Sequence, residues 1–544
     1  MKKIILIALS LTYLIGLSPP LLARSSINIP VSDPIYRDLD RLMGAGLIKS
    51  YLYGQRPYTQ EEIVRMLHEA QEQLEKEKNS SITLDASIDF FLDLEDVINH
   101  RLQQYDSSDQ KKDFVIAPLE SLTFETTLLD SPIRQVPPSN GVGSINAFIN
   151  PLVNYQNGRH YVDGSVVALE TRHWAQLTPY FSLFAHPRFA TLIPNTGPAK
   201  AEAIAQELYG KFGIGNFELQ VGRDQIVWGQ SPQGTFLFST NARPLDMIKI
   251  TNPHPFRFPW IFQHLGNFKG TFFLANLGPE RFHKNDFLTG LKLSLQPHPL
   301  LELGLSTFFD TGGQGSPNIS LKDGIHEFFG FIPFAGISDA DLPGLANRIS
   351  GIEGSLRIPP LRNLQLYLEM YIDDKSDTSF KAMFVDGNAY LAGFYLPRVF
   401  NNGLLDLRFE VKRTPAIFYR HSDFPDGHTL NGLLLGDPLG PDARGFEVTS
   451  NIFISPKTTV TFNMDVEFRD SNIDTRLAET QIITDLPRER RFRSIAAWQR
   501  EWNDHWDSSL KLGYERASTF NFEPGRNLNN FLGQFLLTYH FPTL

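Results

Sequence analysis

The chain has 544 residues, a formal net charge of −10, 43 Phe, 17 Tyr and no cysteine. Because its mean hydropathy is only −0.20, the aromatic residues are interleaved with polar ones and not gathered into long apolar runs. The aromatic content excludes a disordered chain, and the lack of cysteine excludes disulfide frameworks, thiolate metal sites and thiol nucleophiles. The acidic balance differs from the basic footprint of a nucleic-acid-binding protein, so we expect no nucleic-acid partner.

The first 23 residues have the pattern of an export signal. Lys2 and Lys3 precede an apolar run over residues 4–17, and Ala23 supplies a small residue at the cleavage edge. The apolar run is too short and too weakly flanked for a stable membrane span. We therefore predict a signal peptide over residues 1–23 in preference to an uncleaved anchor.

Residues 24–113 have helical periodicity, which predicts a small bundle of amphipathic helices. Ser32 is placed to cap the first helix, and Gly44 is a natural stop for it. Thr59 and Glu62 are three residues apart and form a capping box at the start of the second helix. A third helix and a polar linker complete this predicted domain.

Beyond Phe114 the periodicity changes to strict alternation of apolar and polar residues. The clearest runs are 364–373, 405–412 and 459–468, each with one apolar and one polar face. In a membrane barrel the apolar face meets lipid and the polar face lines the lumen. We therefore predict an all-β transmembrane barrel of roughly 16–20 antiparallel strands over residues 114–544. A secreted or periplasmic β-solenoid or sandwich is the alternative fold.

The C-terminal segment is rich in aromatic residues on one face, namely Phe531, Phe535, Tyr539 and Phe541. An aromatic closing strand is typical of outer-membrane proteins, although here three residues follow the last Phe. We expect a monomer in the cell outer membrane, with outer-membrane lipid and the barrel-insertion machinery as partners. The helical bundle is expected in the periplasm.

Three stretches carry a family resemblance. The helical block contributes 31–42 and 55–62, and the aromatic closing strand is the second stretch. The third and most specific is Val221-Gly222-Arg223-Asp224-Gln225-Ile226-Val227-Trp228-Gly229, followed by residues 238–246. Together they resemble the capsule assembly Wzi family of Gram-negative outer-membrane proteins.

The resemblance implies a large barrel with a periplasmic helical bundle at its base. It also implies a lectin-like, non-enzymatic role in retaining capsular polysaccharide at the cell surface. The helical block is also similar to the S-layer-homology-like segment that precedes some carbohydrate-selective porins. A porin-like channel for small solutes or carbohydrates is therefore the alternative function.

One basic cluster is the best candidate for contact with an acidic polysaccharide, because arginine forks match carboxylates. It lies where a predicted loop meets a strand and consists of Arg488, Arg490, Arg491 and Arg493. The alternative interpretation is a charge network on the lumen wall or rim, paired with Glu489 and Glu501. Loop aromatics at 328–334 and at Phe418, Tyr419 and Phe424 either stack on sugars or pack within folded loops.

The family-like motif is predicted to have a structural or plug-docking role. Gly222 and Gly229 suit tight backbone, and Arg223 and Asp224 are expected to pair with each other in a confined lumen beside Trp228. Charges of both signs on the polar faces favour salt bridges across a plugged or narrow lumen over a simple ion-selective channel.

Catalytic motifs are lacking. The sequence has no Gly-x-Ser-x-Gly elbow, no phosphate-binding loop and no His-Glu-x-x-His motif, and its 14 His are scattered. We therefore expect a protein without catalytic activity, cofactor or metal. An outer-membrane hydrolase of lipid A or glycans is the third alternative.

Overall fold

The computed structural model describes residues 25–79, 88–106, 113–137, 143–150, 152–316, 346–373, 388–470 and 488–542. The predicted signal peptide and the aromatic segment 328–334 lie outside these residues. In the described part of the chain, none of the helices is long and apolar enough to cross a membrane.

Three α-helices in the described residues confirm the predicted helical block: α1 Ile35–Gly44, α2 Gln60–Asn79 and α3 Ile88–Tyr105. The capping box is confirmed, since the Thr59 N–H donates to Glu62 Oε2 over 2.9 Å and the Glu62 N–H donates to Thr59 Oγ1 over 3.1 Å. The prediction that Ser32 caps α1 is wrong. The helix begins at Ile35, whose N–H donates to Asp33 Oδ1 over 3.0 Å, because the Asp33 carboxylate is nearer to the first free N–H groups.

Eighteen strands of the described residues close into one antiparallel barrel, within the predicted range. They are β1 Val115–Asp130, β2 Gly164–Thr178, β3 Phe181–Pro194, β4 Lys200–Ile214, β5 Phe217–Asp224, β6 Leu245–Thr251, β7 Asn267–Asn276, β8 Phe287–His298, β9 Leu301–Thr311, β10 Asn347–Ile358, β11 Leu364–Asp373, β12 Ala389–Leu396, β13 Leu407–Thr414, β14 Ala443–Ser455, β15 Thr458–Arg469, β16 Glu489–Glu501, β17 Trp506–Ser518 and β18 Leu528–His540. Each strand pairs with its sequence neighbours, and β1 closes the ring by pairing with both β2 and β18.

The outer wall of the barrel is apolar and the inner wall is polar. On β11, Leu366 and Leu368 point outward and are 42% and 57% exposed, whereas Glu369 points inward and is fully buried. The same alternation continues around the ring, so the exposed apolar side chains form one band that water would solvate poorly. This band faces lipid, which makes the chain an outer-membrane β-barrel and removes the solenoid and sandwich alternatives.

The two ends of the barrel differ in the length of their connections. At one end the turns are short, as at 179–180 and 456–457, and we call this the short-turn end. At the other, the long-loop end, β5 and β6 are joined by 225–244, and β13 and β14 are joined by 415–442. In outer-membrane barrels short turns face the periplasm and long loops face outward.

The lumen is filled from both ends. At the short-turn end the helical block packs against inward side chains of the wall, including Trp174, Phe184 and Tyr209. From the long-loop end, described parts of 131–163, 225–244 and 415–442 fold inward around a core of aromatic and aliphatic residues. We call these two bodies the helical plug and the loop plug.

Candidate functional site

The helical plug and the loop plug meet inside the barrel at the family-like motif. Gln55 and Arg56 form a two-residue antiparallel pair with Trp228 and Val227. The Gly229 N–H extends this pairing by donating to the carbonyl oxygen of Gly54 over 3.1 Å. The predicted plug-docking position of the motif is therefore where the two plugs join.

Arg56 is the central side chain of this junction, and it was not among the candidate residues predicted from the sequence. Its guanidinium donates to the carbonyl oxygens of Gly229 at 3.0 Å, Ser231 at 2.5 Å and Pro232 at 2.6 Å. Three carbonyls on one buried guanidinium hold the loop backbone in a single conformation. Its place in the family-like stretch 55–62 was the available signal, but its partners lie more than 170 residues away.

The two motif glycines have the tight backbone that was predicted. Gly222 has φ of +126° and Gly229 has φ of +109°, values that favour glycine. A Cβ atom on Gly229 would lie 2.3 Å from Thr235 Oγ1, and one on Gly222 would lie 2.3 Å from the Leu208 carbonyl oxygen. Both positions therefore require glycine for space as well as for conformation.

The expected pairing of Arg223 with Asp224 is wrong, because consecutive residues of a strand point to opposite faces. Arg223 binds Asp246 through two hydrogen bonds of 2.8 Å each. Asp224 points into the lumen, where its Oδ2 accepts from Asn28 Nδ2 at 2.6 Å and lies 3.3 Å from Lys249 Nζ. The motif thus uses Asp224, and not Arg223, to hold the helical plug against the wall.

The four arginines of the basic cluster are not brought together as one surface. Arg491 and Arg493 point inward and are buried among the carboxylates of β15 and β17. Arg491 binds Glu467 and lies 3.2 Å from Glu515, and Arg493 binds Asp465. These two residues belong to a charge network on the lumen wall.

Two acids were expected in that network, and only one of them belongs to it. Glu489 belongs to it, with Arg134 at 2.7 Å and Arg469 at 3.3 Å. Glu501 does not, because it lies at the opposite end of β16 and pairs with Arg101 of α3 at 2.8 Å. Glu501 therefore fastens the helical plug, and its predicted pairing with the arginine cluster is wrong.

Arg488 and Arg490 lie outside the charge network of the lumen wall. Arg488 precedes β16 at the long-loop end, is 48% exposed at its side chain and lies 2.5 Å from Asp470. Arg490 is exposed on the outer wall, since alternation places it opposite to Arg491. Of the four, Arg488 is the one that lies in a connection at the long-loop end, between β15 and β16.

The loop aromatics pack inside the loop plug. Phe418 and Tyr419 are fully buried, with ring centroids 4.4 Å apart, and Phe424 is buried as well. Their burial favours the packing interpretation over the sugar-stacking one. His428 belongs to the same core, where burial lowers its pKa to about 3 and its ring stacks on Phe308 at 4.1 Å.

Salt bridges cross from the plugs to the wall, as the mixed charges predicted. Arg408 of β13 lies 3.1 Å from Asp40 of α1, and Lys412 lies 3.0 Å from Asp437 of the loop plug. Among the described residues, no group of three or more His, Asp or Glu is arranged to hold a metal ion.

A cavity of about 810 Å³ remains between the plugs and the wall formed by β13 to β18 together with β1 and β2. Short inward side chains such as Thr461, Ala497 and Ser509 leave this space. Its lining reaches the short turns at Lys457 and Asp504, whereas the loop segments 155–157 and 231–233 line its other side. The cavity therefore extends from the short turns to the loop plug.

A lipid-facing wall, a lumen filled from both ends and a polar network joining plugs to wall define a plugged outer-membrane β-barrel. The model of the capsule assembly protein Wzi family matches residues 142–532. The chain belongs to this family, as the resemblance indicated.

One of the similar solved structures shows the same fold. Wzi of Escherichia coli, described as an outer membrane protein of group 1 capsule assembly and a carbohydrate-binding β-barrel, matches with a TM-score of 0.63 and 16% identity over 95% of this chain and 99% of that one. OccD3 (OpdP) of Pseudomonas aeruginosa has a TM-score of 0.44 and 11% identity over 79% of this chain and 92% of that one. OprD of the same organism has a TM-score of 0.43 and 9% identity over 80% and 96%. No curated protein sequence matches the chain.

Proposed function

We propose that this protein binds or organises surface polysaccharide, capsular or extracellular, at its long-loop end, by contact and without catalysis. The observation that carries the proposal is the filled lumen, which leaves a rigid outer surface in place of an open channel. The description of E. coli Wzi as a carbohydrate-binding barrel agrees with it.

The loop plug suits binding better than transport. Its described segments pack on one hydrophobic core with the wall, and Arg56 ties 229–232 to the helical plug. Loops held in this way lose little conformational entropy when a ligand binds, which strengthens binding. A solute that enters the pocket at the short-turn end meets the same loops, which speaks against the porin-like alternative.

Within this proposal Arg488 is the member of the basic cluster that contacts an acidic glycan. Its exposed ion pair with Asp470 contributes little stability, so a ligand carboxylate can compete for the guanidinium. Arg491 and Arg493 support the wall below, and Arg490 faces outward.

The test is retention of surface polysaccharide by cells that carry Arg488→Glu. We expect retained polysaccharide, or the affinity of the purified protein for it, to fall roughly fivefold, since one charge-assisted contact is lost and a repulsion is added. Arg257→Glu is the matched control, because Arg257 is an exposed arginine at the short-turn end. Equal retention in both variants would remove Arg488 from the site, and failure of the unmodified protein to bind polysaccharide would refute the function.

A further inference from the structure

A row of arginines lies on the outer wall at the long-loop end of the barrel. Its members are exposed and each lies within three residues of that end of its strand: Arg413 on β13, Arg444 on β14, Arg490 on β16 and Arg516 on β17. We call these four residues the outer arginine row.

The strand register makes the row continuous. Arg413 and Arg444 face each other directly across β13 and β14. On β15, Phe468 faces both Arg444 and Arg490. Arg516 faces Phe492, the next outward residue of β16 after Arg490. Four guanidinium groups thus follow one edge of the membrane-facing wall over five neighbouring strands.

The outward side chains of the five strands from β13 to β17 include no carboxylate. The carboxylates of these strands, such as Glu410, Asp465 and Glu515, are inward and buried. Among the described residues, no carboxylate lies within ion-pair distance of any member of the row. The outward side chains beneath it are apolar, and Phe446 and Phe492 are about two-fifths exposed.

Lipid-exposed arginine is tolerated only near the membrane interface, so the row lies at the headgroup level of the leaflet that the long loops face. Arginine binds phosphate through two parallel hydrogen bonds, and several arginines at a membrane surface attract anionic headgroups. Outward-facing arginines directly above exposed phenylalanines match a molecule with a phosphorylated head and an acyl tail.

We propose that the outer arginine row binds the phosphate groups of a phosphorylated glycolipid in the outer leaflet of the outer membrane. The occupant is a lipid and not a soluble anion, because the row continues the lipid-facing wall and does not face the lumen or the top of the loops. The site is separate from the proposed polysaccharide surface, so either can fail without the other.

The experiment measures co-purification of lipid with the folded protein by native mass spectrometry after delipidation and re-addition. The probes are bis-phosphorylated lipid A and the same lipid with its phosphates removed. We expect the phosphorylated form to bind at least about tenfold more tightly. Changing all four row residues to Gln should abolish that preference, whereas inorganic phosphate at millimolar concentration should leave lipid binding unchanged.

Arg500→Gln is the matched control, because Arg500 is exposed on β16 at the short-turn end and should not affect lipid A binding. Equal binding of both lipids by the unmodified protein would overturn the proposal without any variant. So would displacement of lipid by free phosphate, or an equal loss in Arg500→Gln. Heat-modifiable migration of each variant verifies that its barrel is folded.

Discussion

Buried charged residues determine where the helical plug sits, because each has a specific partner on the wall. Lys269 Nζ lies 2.5 Å from Glu62 Oε1, and Glu302 accepts the backbone N–H groups of Tyr53 at 2.8 Å and Gly54 at 2.9 Å. Buried ion pairs add little net stability, but an unpaired buried charge is costly. These contacts therefore specify the orientation of the plug more than they strengthen it.

The contact between Asp40 of α1 and Arg408 of the wall depends on pH. Burial raises the pKa of Asp40 to about 6, although Arg408 opposes the shift. A carboxyl with a raised native pKa binds its proton more tightly in the folded protein than in the unfolded chain. Its contribution to stability is complete below about pH 4 and is lost as the pH rises through about 6.

We expect the hydrogen-exchange protection of α1 in the unmodified protein to decrease between pH 4 and pH 7, after correction for intrinsic rates. The decrease corresponds to a few kcal/mol at most. Asp40→Asn keeps the size of the side chain and removes the titration, so its protection should be flat over this range. Asp96→Asn is a control at an exposed acid of α3. If the protection of α1 in Asp40→Asn still decreased with pH, Asp40 would not be the titrating group.

At the scale of elements, the barrel and the helical block differ in how far each depends on the other for its structure. Each of the eighteen strands is hydrogen-bonded on both sides within the ring. The helices α1 to α3 instead bury their apolar faces against one another and against the inner wall. The barrel can therefore satisfy its backbone without the helices, whereas the helices depend on the wall.

Deletion of residues 32–105 should leave a barrel that inserts into the membrane. The wall charges it uncovers, such as Lys269 and Glu302, would be hydrated by water entering the lumen, which offsets the lost pairs. The measurement is heat-modifiable migration and protease resistance of the truncated protein in outer membranes. Failure to insert would show that the helical block and the barrel are one folding unit.

For the whole molecule, the two plugs act in series along the lumen. The helical plug fills the short-turn end, the loop plug fills the long-loop end, and Arg56 joins them. With both plugs in place, we expect the lumen to conduct no ions.

Planar-bilayer recordings should therefore show no large, steady single-channel current from the unmodified protein. Deletion of 32–105 alone should leave current low, because the loop plug remains. Deletion of 32–105 together with 230–240 should produce steady conductance. Large, steady currents from the full chain would refute the plugged barrel and restore the porin-like alternative.

Much of the barrel fold could be predicted from the alternation of apolar and polar residues alone. A period of two along β11 and β15 assigns each side chain to lipid or lumen before any partner is known. It predicted the barrel and the mixed charges of the inner wall, whereas the length of 114–544 set the range of strand numbers. The same alternation places Arg490 on the outer face and Arg491 on the inner face. The prediction of one basic cluster did not take this into account.

The sequence by itself determined the class of fold, the helical block and the faces of the strands, because these depend on local periodicity and capping. Tertiary structure alone decided which groups pair across the lumen. Asp224 with Asn28, Glu501 with Arg101 and Arg56 with the carbonyls of 229–232 join segments that are distant in the chain. Such pairs depend on strand register, on closure of the ring and on the path of inward loops, and none of these leaves a periodic signal in the sequence.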